Sequence, residues 1–193
     1  MVLNWREARA DDRESLKDFI CTDPPKVEYN YRLRRKFHPR QYELDVQSLF
    51  RNVRIPLTEE NALLLLGFAA TNDPHQETLR AAVYYAYGEV SLGDERLPAY
   101  EIRAIAVGQE HQGKGLGREA LVCALESAQA TTQLNGLNDD EIVVMAQIHI
   151  DNEPSQHLFQ SFGFSKVDLM SECVSLWSAP SVSIALQAAH GNL

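Results

Sequence analysis

The chain has 193 residues, of which 45% are hydrophobic and 23% charged, and its net charge is −9. This length suits one domain with a sizeable core, and the acidic balance argues against nonspecific binding to nucleic acid or to anionic membranes. No apolar run approaches the roughly 20 residues that a membrane helix needs, and the N-terminus lacks the basic-then-apolar pattern of a secretory signal.

The cysteines and histidines indicate the compartment and argue against a metal site. Cys21, Cys123 and Cys173 are odd in number and show no C-x-x-C spacing, which is typical of reduced thiols in a cytoplasmic protein. The six histidines have no metal-ligand spacing. We therefore expect a single cytoplasmic domain over residues 1–193, without a metal.

The N-terminal part alternates predicted strand and helix. A strand is expected over residues 2–8, followed by a helix that Asp11 or Asp12 can cap and that runs to about Ile20. The sequence DPP at 23–25 ends this helix, because proline cannot continue it.

Residues 26–54 differ in charge from the rest of the chain. They hold eight Lys/Arg and three Asp/Glu, a net charge of +5, so the remainder carries −14. Five aromatic residues are interleaved, and a helix is expected at about 40–52. This basic helical insertion, about 26–56, is either a lip for an acidic, phosphorylated or RNA substrate or a solvated face, and the composition favours the solvated face.

Two apolar runs in the middle of the chain predict an antiparallel hairpin. They cover residues 62–70 and 79–90, with turn residues at 72–75 between them. Residues 91–98 are expected to form a loop.

The next stretch predicts a phosphate site. A strand over 100–107 leads into a segment with three glycines in five residues, and helical apolar spacing follows over 116–130. Amides at a helix start have no intrahelical partner and lie at the positive end of the helix dipole, so a glycine loop there can hold phosphate. Lys114 and Arg118 add positive charge beside it.

Four interpretations of this loop compete. A Walker-type loop needs Ser or Thr where Gly115 stands, and a dinucleotide fingerprint needs G-x-G-x-x-G spacing. The third interpretation is an ordinary glycine turn, which requires no particular residues around the glycines. The sequence QGKGLG at 112–117 matches Q/R-x-x-G-x-G/A and so resembles the pyrophosphate loop of the GCN5-related N-acetyltransferase (GNAT) family, which holds acetyl-coenzyme A.

A second motif follows an apolar strand predicted at 141–150. The sequence NEPSQHLFQSFGF at 152–164 resembles the other GNAT signature, N-x-x-[AS]-x-x-[LF]-[YF]-x-x-x-G-F. It predicts a short helix at 153–161. Closing strands are expected at 165–170 and 182–186, and a frayed tail at about 188–193.

The resemblance implies an α/β (α+β) domain with the GNAT fold. We expect a mixed, mostly antiparallel, curved sheet of about six or seven strands with helices on both faces. The opening between the strand at 102–107 and the strand at 142–150 would hold acetyl-coenzyme A. No part of the sequence indicates a second domain.

The resemblance also implies which residues hold the donor. The strand end would pair with the pantetheine arm, an N–H near Val107 would stabilise the oxyanion, and the glycine loop would bind the pyrophosphate. The implied cofactor-binding residues are Ile105, Ala106, Val107, Gln112, Gly113, Lys114, Gly115, Leu116, Gly117, Arg118, Asn152, Ser155 and Phe159.

Acetyl transfer to an amine also requires a base, because alkylamines are mostly protonated near pH 7. Glu101 lies eleven residues before Gln112, an offset that looks like the histone-acetyltransferase branch of the family. The alternative is a surface glutamate paired with Arg103 on the same strand face.

The general acid departs from the family pattern. Phe159 stands where many relatives have tyrosine, and phenylalanine has no proton to give. Ser155, Tyr84, Tyr100 or water could serve, or the thiolate could leave unaided.

The expected function is therefore an N-acetyltransferase that moves an acetyl group from acetyl-coenzyme A directly to an amine, without a covalent enzyme intermediate. A small-molecule amine is the first expectation for the acceptor and a protein amine the second. An aminoacyl-tRNA, as in toxin-type relatives, is the third. A non-catalytic acyl-coenzyme A-binding domain and a nucleotide triphosphatase are the rivals.

Overall fold

The computed structural model describes residues 3–69, 77–92 and 95–191. The strands are β1 Leu3–Glu7, β2 Glu28–Asn30, β3 Arg35–Phe37, β4 Ala62–Ala69, β5 Leu79–Leu92, β6 Glu95–Val107, β7 Val143–His149, β8 Ser165–Ser171 and β9 Val174–Ala179. Seven of them form one sheet in the order β1-β4-β5-β6-β7-β9-β8, and a separate two-stranded sheet joins β2 and β3. The helices are α1 Arg13–Lys17, α2 Gln41–Asn52, α3 Leu116–Leu134, α4 Glu153–Gln160 and α5 Val182–Gly191.

Helices cover both faces of the large sheet, as an α/β GNAT fold requires. One face packs against α3, whose buried residues recur at helical spacing, including Leu116, Ala120 and Leu121. The other face packs against α1 and α2 through Leu16 and Phe50, both almost fully buried. Apolar side chains on one stripe of each helix therefore produce the layered core. No helix among the described residues is long and apolar enough to cross a membrane.

The sheet is antiparallel except where β6 meets β7. These two strands pair in parallel only over Ala99–Ile102 and Val143–Ala146. β6 continues to Val107 and β7 to His149 without further pairing between them. The C-terminal halves of the two strands are thus the place where the sheet splits.

The expected loop at 91–98 is wrong. β5 and β6 run on as a ribbon in which Val90 pairs with Leu97 and Glu89 with Pro98. β4 pairs with β5 only as far as Ala86. Because this ribbon extends beyond β4, it stays exposed to solvent. Polar residues at 91–98 are therefore compatible with strands and do not indicate a loop.

The expected strand at 182–186 is also wrong, because this segment begins α5. Val182, Ala185, Leu186 and Ala189 are its buried residues, and they recur at helical spacing. The last two strands of the chain are β8 and β9 instead. The tail expected to fray continues as helix to Gly191, and residues 192–193 lie outside the described part.

The first helix is shorter than expected. α1 ends at Lys17 rather than near Ile20. Asp12 does not cap it, because its carboxylate accepts two hydrogen bonds from Arg6, at 2.7 Å each, and one from the Arg9 amide at 2.6 Å.

The basic insertion is only partly helical. It begins with the β2–β3 hairpin and continues into α2, whose bounds match the helix expected at about 40–52. The turn expected at 72–75 lies outside the described residues.

Candidate functional site

A cavity of about 510 Å³, called here the first cavity, opens where β6 and β7 diverge. The glycine loop borders it on one side and the start of α4 on the other. Ten of the predicted cofactor-binding residues line it: Ile105, Ala106, Val107, Gln112, Gly113, Gly115, Leu116, Gly117, Asn152 and Ser155. The fold therefore brings together motifs that are about forty residues apart in the sequence.

The glycine loop needs glycine for its backbone conformation rather than for space. Gly113 and Gly115 have φ of +72° and +83°, in the left-handed region. A Cβ at either position would meet no atom within 4 Å. Gly115 immediately precedes α3 and has no side chain to cap its first amides. Those amides thus remain available to an anion in the cavity.

Gln112 holds this loop in place with its side chain. Its Nε2 donates to the Cys21 carbonyl at 2.7 Å and to the Val107 carbonyl at 3.2 Å. The amide group consequently ties the loop to the end of β6 and to the segment that follows α1.

Backbone alternation leaves donors at the end of β6. The Gly108 N–H donates to the Arg80 carbonyl on the β5 side at 2.7 Å. Because N–H groups alternate sides along an antiparallel strand, those of Val107 and Ile105 point away from β5, into the split. A ligand that lies along β6 can therefore hydrogen bond as an additional strand.

The opposite wall is the start of α4. Asn152 caps this helix, since its Oδ1 accepts the Ser155 N–H at 3.2 Å. This bond occupies the side-chain oxygen and leaves the Nδ2 group to donate elsewhere. Ser155 lines both the first cavity and its neighbour.

A second cavity of about 280 Å³ adjoins the first on the α2 face of the sheet. The two share Tyr42, Val46, Ile105, Asn152 and Ser155 in their walls. The second cavity is additionally bordered by polar side chains: Asp45, Arg103, Gln147 and His149. It therefore lies next to the end of β6 and opens beside the first cavity.

Glu101 lies behind the second cavity rather than in its wall. Its side chain is 32% exposed, and its carboxylate accepts hydrogen bonds from Arg103 Nε at 3.1 Å and Gln147 Nε2 at 3.2 Å. Arg103 and Gln147 both line the second cavity. The predicted base is therefore one hydrogen bond away from the space an acceptor would occupy.

Arg103 is the centre of a charged cluster on this face. It also binds the carboxylate of Glu59 with both NH groups and contacts Tyr84. The hydrogen bond to Glu59 is the main reason that the pKa of Arg103 is raised, and the same bond lowers the pKa of Glu59. The guanidinium thus stays charged and stabilises the anionic form of Glu59.

Three predicted cofactor residues are directed elsewhere. Lys114 Nζ donates to the Glu110 carbonyl at 2.7 Å. Arg118 donates to the Ala189 carbonyl of α5, and its guanidinium lies 5.0 Å from the centre of the Phe162 ring. Phe159 is 3% exposed and borders the second cavity, not the first.

Of the hydroxyl groups considered as a general acid, Ser155 lies in both cavities. Tyr100 is buried on the α3 face, where its hydroxyl bonds Thr132 at 3.2 Å and burial raises its pKa. The Tyr84 hydroxyl accepts a hydrogen bond from Arg103 at 3.3 Å.

Burial raises the pKa of the Cys21 thiol, which borders the first cavity, to about 12.

Sequence reasoning missed an aromatic bridge across the site. The Tyr42 and His149 rings stack with centres 4.7 Å apart and planes at 21°. The Tyr42 hydroxyl donates to the Asp151 carbonyl at 3.3 Å. These contacts connect α2 to the end of β7, and no local pattern relates residues so far apart in the chain.

Comparisons with known proteins match this chain to a family model and to a curated relative. The family model described as acetyltransferase (GNAT) domain matches residues 3–165. The alpha/beta-tubulin-N-acetyltransferase 9 of Drosophila melanogaster is 38% identical over 71 residues, 37% of this chain and 33% of that protein. The matched segment thus spans about a third of this relative's length.

Two solved structures share the architecture. A mutant AtaT toxin, bound to the C-terminus of the antitoxin AtaR and to acetyl-CoA, has a TM-score of 0.60 at 13% identity, with 97% of this chain and 98% of the toxin covered. Arabidopsis thaliana NAA60 in complex with a bisubstrate analogue has a TM-score of 0.55 at 13% identity, with 92% and 98% covered. At these identities the likeness shows the fold.

Proposed function

Because the chain belongs to the GNAT acetyltransferase family, we propose that it transfers an acetyl group from acetyl-coenzyme A to an amine acceptor within a ternary complex. One observation carries this proposal: the first cavity has both signature motifs in its walls, the 112–117 loop on one side and Asn152 with Ser155 on the other. The similarity to the alpha/beta-tubulin-N-acetyltransferase 9 supports transfer to an amine.

In this proposal the donor lies along the split between β6 and β7. The amides of 113–117 hold the pyrophosphate at the start of α3. The outward N–H groups of Ile105 and Val107 and the amide of Asn152 hold the pantetheine arm. The Val107 N–H also donates to the thioester oxygen as it becomes an oxyanion.

The acceptor amine enters through the second cavity and attacks the thioester carbon. A C–N bond forms, the C–S bond breaks, and coenzyme A leaves as the thiolate. Glu101 accepts the amine proton through a water held near Gln147 and Arg103. Arg103 and Gln147 both donate hydrogen bonds to this carboxylate, so its position relative to the second cavity is fixed. Ser155 can hydrogen bond the leaving sulfur.

A calorimetric titration with acetyl-coenzyme A tests donor binding, with ATP and magnesium as the control ligand. We expect acetyl-coenzyme A alone to bind, and binding to be lost in Gly115→Glu. Gly136→Glu is a matched control, because Gly136 also has a positive φ and open space around it but lies in the loop after α3. Release of free thiol with a panel of amines then tests transfer.

A non-catalytic acyl-coenzyme A-binding domain is the second candidate. It is favoured by the burial of Phe159, which packs edge-on against Phe164 at 4.9 Å and offers no proton donor. Tight binding of acetyl-coenzyme A without thiol release from any amine would support this candidate over the first.

A further inference from the structure

The β2–β3 hairpin is a positively charged projection on an acidic molecule. Residues 26–40 hold six Lys/Arg and one Glu, whereas the whole chain carries −9. Every residue from 31 to 37 is exposed. Five of the cations form no ion pair with the part of the chain that the structure describes: Lys26, Arg32, Arg34, Arg35 and Lys36.

The tip of this hairpin has a defined shape. The Asn30 Oδ1 accepts the N–H groups of Arg32 and Leu33, each at 3.0 Å. Arg34 follows with φ of +51°. The Tyr29 and Tyr31 rings lie edge to face with centres 5.0 Å apart, and Tyr31 is 86% exposed. Cations and aromatic rings are therefore presented together on an ordered turn.

The base of the hairpin is fixed beside the first cavity. His38, only 3% exposed, bonds the Pro24 carbonyl at 2.7 Å and accepts the Arg40 N–H at 3.1 Å. Gln47 of α2 donates to the Pro25 carbonyl at 2.8 Å. Arg40 lines the first cavity. Arg34 and Arg40 are six positions apart, so the chain can span at most about 20 Å between the tip and the cavity.

The mouth of the second cavity has the opposite charge. Asp45 is in its wall, and Asp151, whose side chain is 76% exposed, lies beside His149. The wall also contains Arg103, but its charge is paired with the carboxylates of Glu59 and Glu101. The pKa of Tyr42 is raised first by burial and then by Glu43. Arg40 lowers it, and Asp151 and Glu153 raise it further. This mouth attracts a cationic amine, while the hairpin attracts carboxylates.

Building on the proposed acetyl transfer, we propose that the β2–β3 hairpin docks an acidic segment of a polypeptide acceptor, within about six residues of the amine that enters the second cavity. A polypeptide can carry a cationic amine and a group of carboxylates within a few residues of each other. The two-stranded sheet also has unpaired outer edges in the described structure, which an extended peptide can join by main-chain hydrogen bonds. A nucleic acid, negative along its whole length, would meet the acidic mouth of the second cavity.

Fluorescence anisotropy on the full chain saturated with coenzyme A tests this docking. The probe is a labelled, N-terminally blocked peptide with one lysine followed, after three neutral residues, by four glutamates. The comparison peptide has four glutamines in place of the four glutamates. The tip variant is Arg34→Asn with Lys36→Gln, because asparagine tolerates a positive φ. The matched control is Arg13→Asn with Lys166→Gln, exposed cations of α1 and β8.

We expect the glutamate peptide to bind more tightly than the glutamine peptide. The tip variant should weaken that binding roughly three- to thirtyfold, and added salt should weaken it as well. The control variant should bind as the wild type does. Equal binding of the two peptides, or an unchanged affinity in the tip variant, would overturn the proposal, as would displacement of the peptide by a single-stranded RNA that binds the tip more tightly. Failure of the acetyltransferase proposal is read separately, from the acetyl-coenzyme A titration.

Discussion

Arg103 and Glu101 form an ion pair along one face of β6, with Nε and Oε2 3.1 Å apart. The same guanidinium binds Glu59, and the same carboxylate accepts a bond from Gln147. Glu101 is therefore both a member of a surface charge cluster and a carboxylate that bonds two side chains in the wall of the second cavity, Arg103 and Gln147. These two roles make different predictions.

Glu101→Gln should separate catalysis from stability. If Glu101 removes the amine proton, the variant should lose about 10²- to 10⁴-fold in kcat. Stability should change by less than about 1 kcal/mol, because the pair is partly solvent-exposed and Glu59 still holds Arg103. Steady-state kinetics and thermal unfolding measure the two effects.

The matched control for this prediction is Glu59→Gln. Glu59 pairs with the same arginine but lies in the wall of neither cavity. An equal loss of kcat in both variants would mean that the cluster acts by positioning Arg103 and that Glu101 is not the base.

Variants of Asn152 can separate its role in capping α4 from its proposed role in binding the cofactor. Asn152→Asp keeps an oxygen that accepts the Ser155 N–H and suits the helix dipole, so the fold should be as stable as the wild type. It removes the amide donor, so the Kd for acetyl-coenzyme A should rise. Asn152→Ala should raise the Kd and also cost about 1 kcal/mol of stability. Unchanged affinity in the aspartate variant would restrict Asn152 to its capping role.

Gly117 should respond differently from Gly115. An alanine Cβ at 117 would lie 3.6 Å from Leu158 and 3.9 Å from Val107, which are ordinary contacts. Because alanine suits a helix better than glycine, Gly117→Ala should not lower the melting temperature, yet it narrows the first cavity and should weaken acetyl-coenzyme A binding. Gly115→Ala should lower the melting temperature, since a left-handed φ costs a residue other than glycine about 1–2 kcal/mol. Differential scanning fluorimetry with and without the ligand separates the two.

The parts of the fold that could be predicted are those with local signals. The glycine loop between a strand and an amphipathic helix was recognisable because φ, helix start and apolar spacing all depend on neighbouring residues. The start of α4 was recognisable for the same reason. The segment 182–191 misled the prediction because β-branched residues at its start outweighed the helical spacing that packing reveals.

The partners of the site residues could not be predicted, because they depend on strand register and layer packing. Arg103 and Glu59 are 44 positions apart, and Arg118 and Ala189 are 71 apart. Tyr42 meets His149 only because α2 lies over the end of β7. No spacing in a single sequence encodes such contacts.

Arg118 is expected to stabilise the fold rather than bind the donor. Its guanidinium donates to a carbonyl in the last turn of α5 and lies over Phe162. A cation there complements the negative end of the helix dipole. Arg118→Gln should therefore lower the free energy of unfolding by about 1 kcal/mol, with little change in the Kd for acetyl-coenzyme A. A large change in that Kd at unchanged stability would show that the side chain turns toward the ligand.

Cys21 should be unreactive although it borders the first cavity. Burial raises its pKa to about 12, so almost no thiolate exists near neutral pH. Iodoacetamide at pH 8 should modify the exposed Cys173 first, and acetyl-coenzyme A binding should survive that modification. Rapid alkylation of Cys21, with protection by acetyl-coenzyme A, would contradict this and would reopen a covalent acyl-enzyme route.

The same thiol predicts a loss of stability at high pH. The stabilising effect of the raised pKa is fully present below the ordinary thiol value of about 9, and it is lost as pH rises towards about 12, because the unfolded chain releases the proton first. Urea unfolding between pH 8 and 11 should show a smaller decline for Cys21→Ala than for the wild type. Cys173→Ala is the control and should decline as the wild type does. Equal slopes in all three proteins would mean that the Cys21 thiol ionises as readily in the folded chain as in the unfolded one.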